Sequence, residues 1–312
     1  MVVNLIEVVG IIFAFMVAGF IFARRGTVRE RDVQVFAEIL FSLAIPALIF
    51  HSVLSSFERS ILIESYPLPF FAMGMALGMM ALAYGISVLI GFKNSAKRDL
   101  FVVSVAFSNT IFIGLPVITS LYGEATVAPI FLFELGHSLI LWSIGITLLN
   151  NLPQMRLRQN IRHILNPPMI TLVVALTLGW FGWSPGSFIM GLAEMLGQIT
   201  TPLAIMVIGM TVGMMKLNRA DFDPTIYLIA FLRLLVSPLL MGLLVVALGV
   251  PLMVQQVVTM EAAMPTMVTV ALVARKYGKE YHYASMAIFM TTVLSLITIP
   301  LVAYLLELWV LP

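Results

Sequence analysis

SNTIFIGLPVITSLYG at residues 108–123 and EAAMPTMVTVALVARKYG at residues 261–278 are the two stretches on which the fold turns. Each is an apolar run interrupted near its middle, and the two occupy corresponding places in the two halves of the chain. A proline in a membrane helix removes one backbone donor and frees the carbonyl four residues earlier. Here those carbonyls belong to Phe112, ahead of Pro116, and Glu261, ahead of Pro265. Bare backbone is tolerated at membrane depth only where it faces protein or a polar cavity. Paired interrupted segments in two halves therefore point to the substrate site of a secondary transporter.

Composition supports the membrane reading. Hydrophobic residues make up 61% of the 312-residue chain and charged residues 10%, with a mean hydropathy of +1.07, which no soluble domain of this size shows. A bilayer core of roughly 30 Å needs apolar runs of about 20 residues. Ten are predicted, near 5–23, 31–54, 67–91, 99–121, 125–149, 167–183, 190–214, 223–248, 251–274 and 282–308. They leave no room for a soluble domain. Residues 151–166 read as a cytoplasmic linker between 1–150 and 167–312, and the first 23 residues lack a basic leader and read as a span, not a cleaved signal. Without cysteine, disulfide and thiol chemistry are excluded.

Charge placement tests the count of ten. The connections after the odd-numbered predicted helices hold Arg24, Arg25, Arg29 and Arg31; Lys93, Lys97 and Arg98; Arg156, Arg158 and Arg162; Lys216 and Arg219; and Arg275, Lys276 and Lys279, which are 15 of the 17 basic residues. The even connections hold only Arg59. The positive-inside rule then puts both termini on the extracytoplasmic side of the plasma (inner) membrane. The net charge of +2 is thus a topology signal, and a nucleic-acid partner is not expected.

Five helices per half make the halves inverted repeats of an all-α membrane protein. A shift of 156 residues superimposes Ala37, Glu38, Leu40, Pro46 and Ile49 on Ala193, Glu194, Leu196, Pro202 and Ile205. The broken helices, 4 and 9, both stand fourth in their repeat.

NTIFIGLP at residues 109–116 resembles the Asn-Thr-x-x-x-Gly-x-Pro signature of the auxin efflux carrier family, whose plant members are the PIN proteins. AAMPTMVTVALVARKYG, with ASMAIFMTTVLSLITIPLV at 284–302, resembles that family's ninth and tenth helices, and IPALIF at 45–50 its second. The likeness spans the chain and keeps the order of the motifs. It departs in one respect: a short linker stands where plant members carry a long cytoplasmic region, so the chain is similar to a prokaryotic-type member and control by phosphorylation of the plant type is not expected. The resemblance implies scaffold helices 1, 2, 6 and 7, a mobile transport domain of helices 3–5 and 8–10, crossing of helices 4 and 9 at their breaks, and an elevator mechanism. It implies small organic anions as substrates, mono- or dicarboxylates or auxin-like acids, and a homodimer through the scaffold. At the crossing the second half of each broken helix would point its positive dipole end at an anion. Asn109 and Thr110 would then supply side-chain hydrogen bonds, Gly114 close backbone approach beside Pro116, and Met264, Pro265, Thr266 and Val268 the opposing wall.

Four ionisable residues fall about ten residues into apolar runs: Glu134 and His137 in predicted helix 5, Arg233 in helix 8 and Glu261 in helix 9. Unpaired charge at that depth is costly, so Arg233 is expected to be the counter-ion of Glu261 or Glu134. The functional alternative is that a carboxylate carries a coupling proton or Na⁺, or that Arg233 attracts the substrate. Glu134 and His137 share a helix face at i, i+3, which suits packing as well as proton relay. No enzyme motif, phosphate-binding loop or cluster of metal-spaced ligands occurs, so neither catalysis nor a cofactor is expected. A ligand sensor on the same fold is the alternative to transport, opposed by the lack of a soluble output domain. A channel is a third reading, disfavoured because broken helices suit a carrier that occludes its substrate.

Overall fold

The computed structural model describes residues 2–55, 57–150, 165–183, 185–215, 223–276 and 279–310; the predicted linker falls almost wholly outside them. Among the described residues there are seventeen α-helices: α1 (Val2–Arg24), α2 (Glu30–Ile39), α3 (Ile45–Ser55), α4 (Arg59–Ser65), α5 (Leu68–Ile90), α6 (Ser95–Ala106), α7 (Leu115–Tyr122), α8 (Val127–Ile140), α9 (Ile146–Asn150), α10 (Pro167–Trp180), α11 (Ser187–Gln198), α12 (Thr200–Met214), α13 (Pro224–Phe231), α14 (Ser237–Ala247), α15 (Leu252–Ala263), α16 (Thr269–Lys276) and α17 (Tyr281–Val310). No β-strand forms among them. Six helical runs are long and apolar enough to cross a membrane, and three shorter apolar helices span Gly10–Arg24, Thr110–Tyr122 and Pro167–Trp180. The predicted helix at 251–274 is neither long nor continuous, because it is broken between α15 and α16.

Four runs contain a widened π-turn, at Leu40–Ala44, Thr110–Gly114, Leu141–Gly145 and Leu232–Val236. Three of these end two residues before a proline: Pro46, Pro116 and Pro238. A proline ring pushes against the carbonyl four residues back and offers it no donor, and a wider turn relieves both. Accordingly the Ile45 and Ser237 amides donate to carbonyls five residues earlier, those of Leu40 and Leu232. Pro116 therefore sits in a continuous helical run, and the break expected beside it lies elsewhere.

The chain divides into two compact units. The first comprises Met1–Tyr66, Ile111–Leu132 and Leu165–Met215. Within it α1 lies against α12 at backbone distance: a Cβ on Gly19 would stand 2.2 Å from the Met206 carbonyl oxygen, and one on Gly209 only 2.0 Å from that of Met16. Larger residues would force those helices apart. Helix α3 packs on α10 and α11, and Phe112 packs against a cluster of Val33, Val207 and Met210.

The second unit comprises Pro67–Thr110, Phe133–Ile164 and Lys216–Pro312. Here α5 packs on α6, α14 on α15, and α17 on α13, α15 and α16. Gly136 lets α8 meet α5, since a Cβ there would lie 2.0 Å from the Pro69 carbonyl oxygen. At one end of the unit the Lys97 ammonium pairs with Asp223, which also caps α13 through the Thr225 amide at 2.9 Å, and Asn94 bonds Glu280. Leu89 and Phe188 are each more than four-fifths exposed, as apolar side chains on a lipid-facing surface would be.

Candidate functional site

Helix α15 stops at Ala263 for a local reason. Met264 precedes Pro265, and the proline ring drives the preceding residue out of the helical region; Met264 is extended, at φ −68° and ψ 146°. Helix α6 stops at Ala106 with no proline or glycine to stop it. Phe107, Ser108 and Asn109 run extended instead because they pair antiparallel with the Met264–Met267 segment. Ser108 bridges Thr266, the Asn109 amide donates to the Pro265 carbonyl at 2.8 Å, and the Met267 amide donates to the Phe107 carbonyl at 3.0 Å. Short polar side chains at 108–110 ease this, since serine, asparagine and threonine compete with the helix for backbone partners. The interruption of the first segment thus lies at 107–109, before Pro116, and a helical run resumes at Thr110.

Freed backbone groups around the crossing find protein partners. The Ser108 amide donates to His137 Nε2 at 3.2 Å; because an amide only donates, that nitrogen is the unprotonated one and Nδ1 carries the hydrogen, a tautomer assigned from the bonding pattern. The Thr266 hydroxyl donates to the Ser104 carbonyl at 2.9 Å, and the Thr266 amide donates to the Thr291 hydroxyl at 3.2 Å. Phe107 and Phe133 flank the imidazole, with ring centroids 5.2 and 6.1 Å away.

Arg233 makes no direct ion pair with Glu261 or Glu134, although it lies near enough to Glu261 for their charges to interact. Its Nε donates to the Met264 carbonyl at 3.0 Å, one terminal nitrogen to Val105 and Ala106 at 3.1 and 3.2 Å, and the other to Glu261 and Ala262 at 3.3 and 2.9 Å. A guanidinium has five N–H donors, and all five end on main-chain carbonyls. The reason is the geometry of helix ends: the last turns of α6 and α15 both present unpaired carbonyls and the negative end of a dipole. The carbonyl of Glu261, expected bare, is taken by Arg233 and by the Met264 amide at 3.3 Å.

Neither carboxylate oxygen of Glu261 accepts a hydrogen bond, although the side chain is fully buried. Near it lie the Thr110 hydroxyl, outside bonding geometry, and the Glu134 carboxylate. Glu134 accepts from the Ser138 hydroxyl, and its other oxygen lies 3.6 Å from His137 Nδ1. Among the described residues no three His, Cys, Asp or Glu side chains gather as a metal site.

Of the residues expected at the site, Asn109, Thr110, Met264, Pro265 and Thr266 meet at the crossing within the second unit, with Val268 at its rim, and the first five are buried. Gly114 and Pro116 belong to the first unit. Glu134, His137, Arg233 and Glu261 all lie in the second. The reading of the sequence missed Ser104, Ser108 and Thr291; the legible signal was a small hydroxyl residue inside an apolar helix.

A family model described as Membrane transport protein matches residues 4–160 and 152–303. An uncharacterized transporter of Methanothermobacter thermautotrophicus is 26% identical over 297 residues, covering 95% of this chain and 96% of the relative. An uncharacterized transporter of Methanocaldococcus jannaschii is 24% identical over 301 residues, with the same coverage.

Proposed function

This chain belongs to the membrane transport protein family and is a multi-pass membrane protein, not an enzyme, and on that premise we propose that it is a secondary transporter of small organic anions. The observation that carries the reading is the antiparallel pairing of residues 107–109 with 264–267. It brings two helix C-termini and two helix starts to one buried place. The C-terminal carbonyls are neutralised by Arg233. What is left with unbalanced positive character is the pair of starts, at Thr110 and Thr269, and a positive helix start favours a carboxylate. Asn109 and Thr110 bond the substrate carboxylate and Met264, Pro265, Thr266 and Val268 shape its apolar side.

In this proposal ten helices form two inverted repeats with both termini outside the plasma membrane. Predicted helices 3–5 and 8–10 form the transport domain that carries substrate across by an elevator movement, and two copies associate through predicted helices 1, 2, 6 and 7. Glu261 has unused capacity for a proton, with the Glu134 and Arg233 charges nearby. We assign the coupling ion to a proton on Glu261.

The test is exchange of labelled mono- and dicarboxylates in proteoliposomes, with binding followed by thermal shift. Loss of one hydrogen bond to a charged group costs about 1.5–3 kcal/mol, so Asn109→Ala should weaken binding about 10- to 150-fold. Ser187→Ala, exposed at the start of α11, should bind as wild type. Equal affinity in wild type and Asn109→Ala would move the site away from the crossing.

A further inference from the structure

Two helices that stop at one point with their C-termini together repel each other. The ends of α6 and α15 carry like partial charges and up to four carbonyls each without helical partners, at a depth where no water repays the loss. A cation between them relieves that repulsion. The carbonyls of Val105 and Ala106 from one end, and of Glu261, Ala262 and Met264 from the other, converge at 2.9–3.3 Å on a single side chain that is 0% exposed. A set of backbone carbonyls drawn around one positive charge is also how proteins take a free alkali or alkaline-earth ion from water. Here the charge arrives covalently attached, with a donor for every carbonyl, from the π-turn Leu232–Val236 on a third element.

We propose that Arg233 is a tethered cation that occupies a carbonyl cage, so that the crossing assembles without a free metal ion. Removing the side chain converts the cage into a binding site for a small free cation, with guanidinium the best fit. The carbonyls stay where α6 and α15 hold them, because the pairing of Ser108 with Thr266 fixes the two ends independently of Arg233. A planar ion with hydrogens directed outward in its plane then replaces most of the lost donors. Sodium replaces the charge and accepts the same oxygens, with fewer of them in reach.

The inference concerns the same crossing as the transport reading, and its test needs neither substrate nor flux, so the two stand or fall separately. The melting temperatures of detergent-purified wild type, Arg233→Ala, Arg233→Lys and Met75→Ala are measured in millimolar guanidinium, sodium or choline chloride at constant ionic strength. Met75, buried in α5 and contributing no carbonyl to the cage, serves as a destabilised control. Wild type should differ by less than about 1 °C between sodium and choline, since a ligand with no site gives no linkage. Arg233→Ala should melt several degrees lower and recover at least half of the loss in guanidinium, saturably, with a weaker recovery in sodium and none in choline. Met75→Ala should not recover. If Arg233→Ala does not accumulate, Arg233→Lys decides: an ammonium has three donors for five carbonyls and must be destabilised. Saturable, sodium-specific stabilisation of wild type overturns the proposal. So does wild-type stability in Arg233→Lys, or an Arg233→Ala protein that recovers no better than Met75→Ala.

Discussion

Replacing His137 by phenylalanine removes the acceptor of the Ser108 amide and little else. An aromatic ring, somewhat larger, still lies between Phe107 and Phe133, while a buried N–H loses its partner at 3.2 Å. Leaving such a donor unsatisfied costs about 1–3 kcal/mol. For a chain of this length about 2 °C of melting temperature accompanies each kcal/mol, so His137→Phe should melt about 2–6 °C below wild type. His137→Ala also loses two aromatic contacts, worth about 0.5–1.5 kcal/mol each, and leaves a cavity, which takes the drop beyond that of the phenylalanine variant. His137→Gln offers a side-chain carbonyl and should recover part of the loss. The imidazole also faces Glu134 at 3.6 Å, so the series is repeated on Glu134→Gln to separate that neighbour in a double-mutant cycle. Melting is followed by tryptophan fluorescence in detergent, and hydrogen exchange reports on the Ser108 amide. If His137→Phe melts with wild type and the amide stays equally protected, the imidazole does not hold the crossing, and the account of its tautomer fails with it.

Three further outcomes are expected. Single cysteines at Ser187 and Ser95, both exposed, should be respectively labelled and spared by an impermeant maleimide added to intact cells; the reverse pattern would invert the proposed topology. Glu261→Gln should abolish the pH dependence of transport while leaving substrate exchange, and retention of the wild-type pH profile would remove the residue from coupling. Asp223 lies outside the apolar core of α13, and although burial works to raise its carboxyl, hydrogen bonds from Lys97 and Thr225 hold it below its ordinary value. A lowered pKa adds stability above the unfolded value near 4 and loses it as pH falls through the folded one. Asp223→Asn should therefore melt below wild type at pH 7, with the gap closing below about pH 4; a gap independent of pH would point to the cap of α13 and not to the charge.

The parts of this molecule legible from its sequence are those with local causes. The stop at Met264 follows from the proline beside it, and the apolar runs follow from composition. The interruption at 107–109 has no local cause strong enough to read, because it is imposed by the partner segment more than 150 residues away. Pro116 drew attention to the wrong place, since a π-turn absorbs its steric demand without breaking the run. Arg233 was visible as a buried charge, but its partners were not: counting charges suggests a carboxylate, whereas backbone oxygens carry no signature in a sequence. His137 and Glu134 do face each other as their spacing predicts, yet the stronger bond of His137 is to a backbone amide that exists only because another helix ends early.

The π-turn at Leu232–Val236 takes up one more residue than an α-helical turn would, which makes it a phase shifter. Residues before and after it are set about 100° apart from where a regular helix would put them. Winding the same residues as a regular helix would keep every side chain and swing one end of the helix round its axis by more than a quarter of a circle. Either the guanidinium would leave the two helix ends, or the length of helix after Pro238 would present a different stripe to α15. The aim of Arg233 thus depends on how this turn is wound as much as on its own identity.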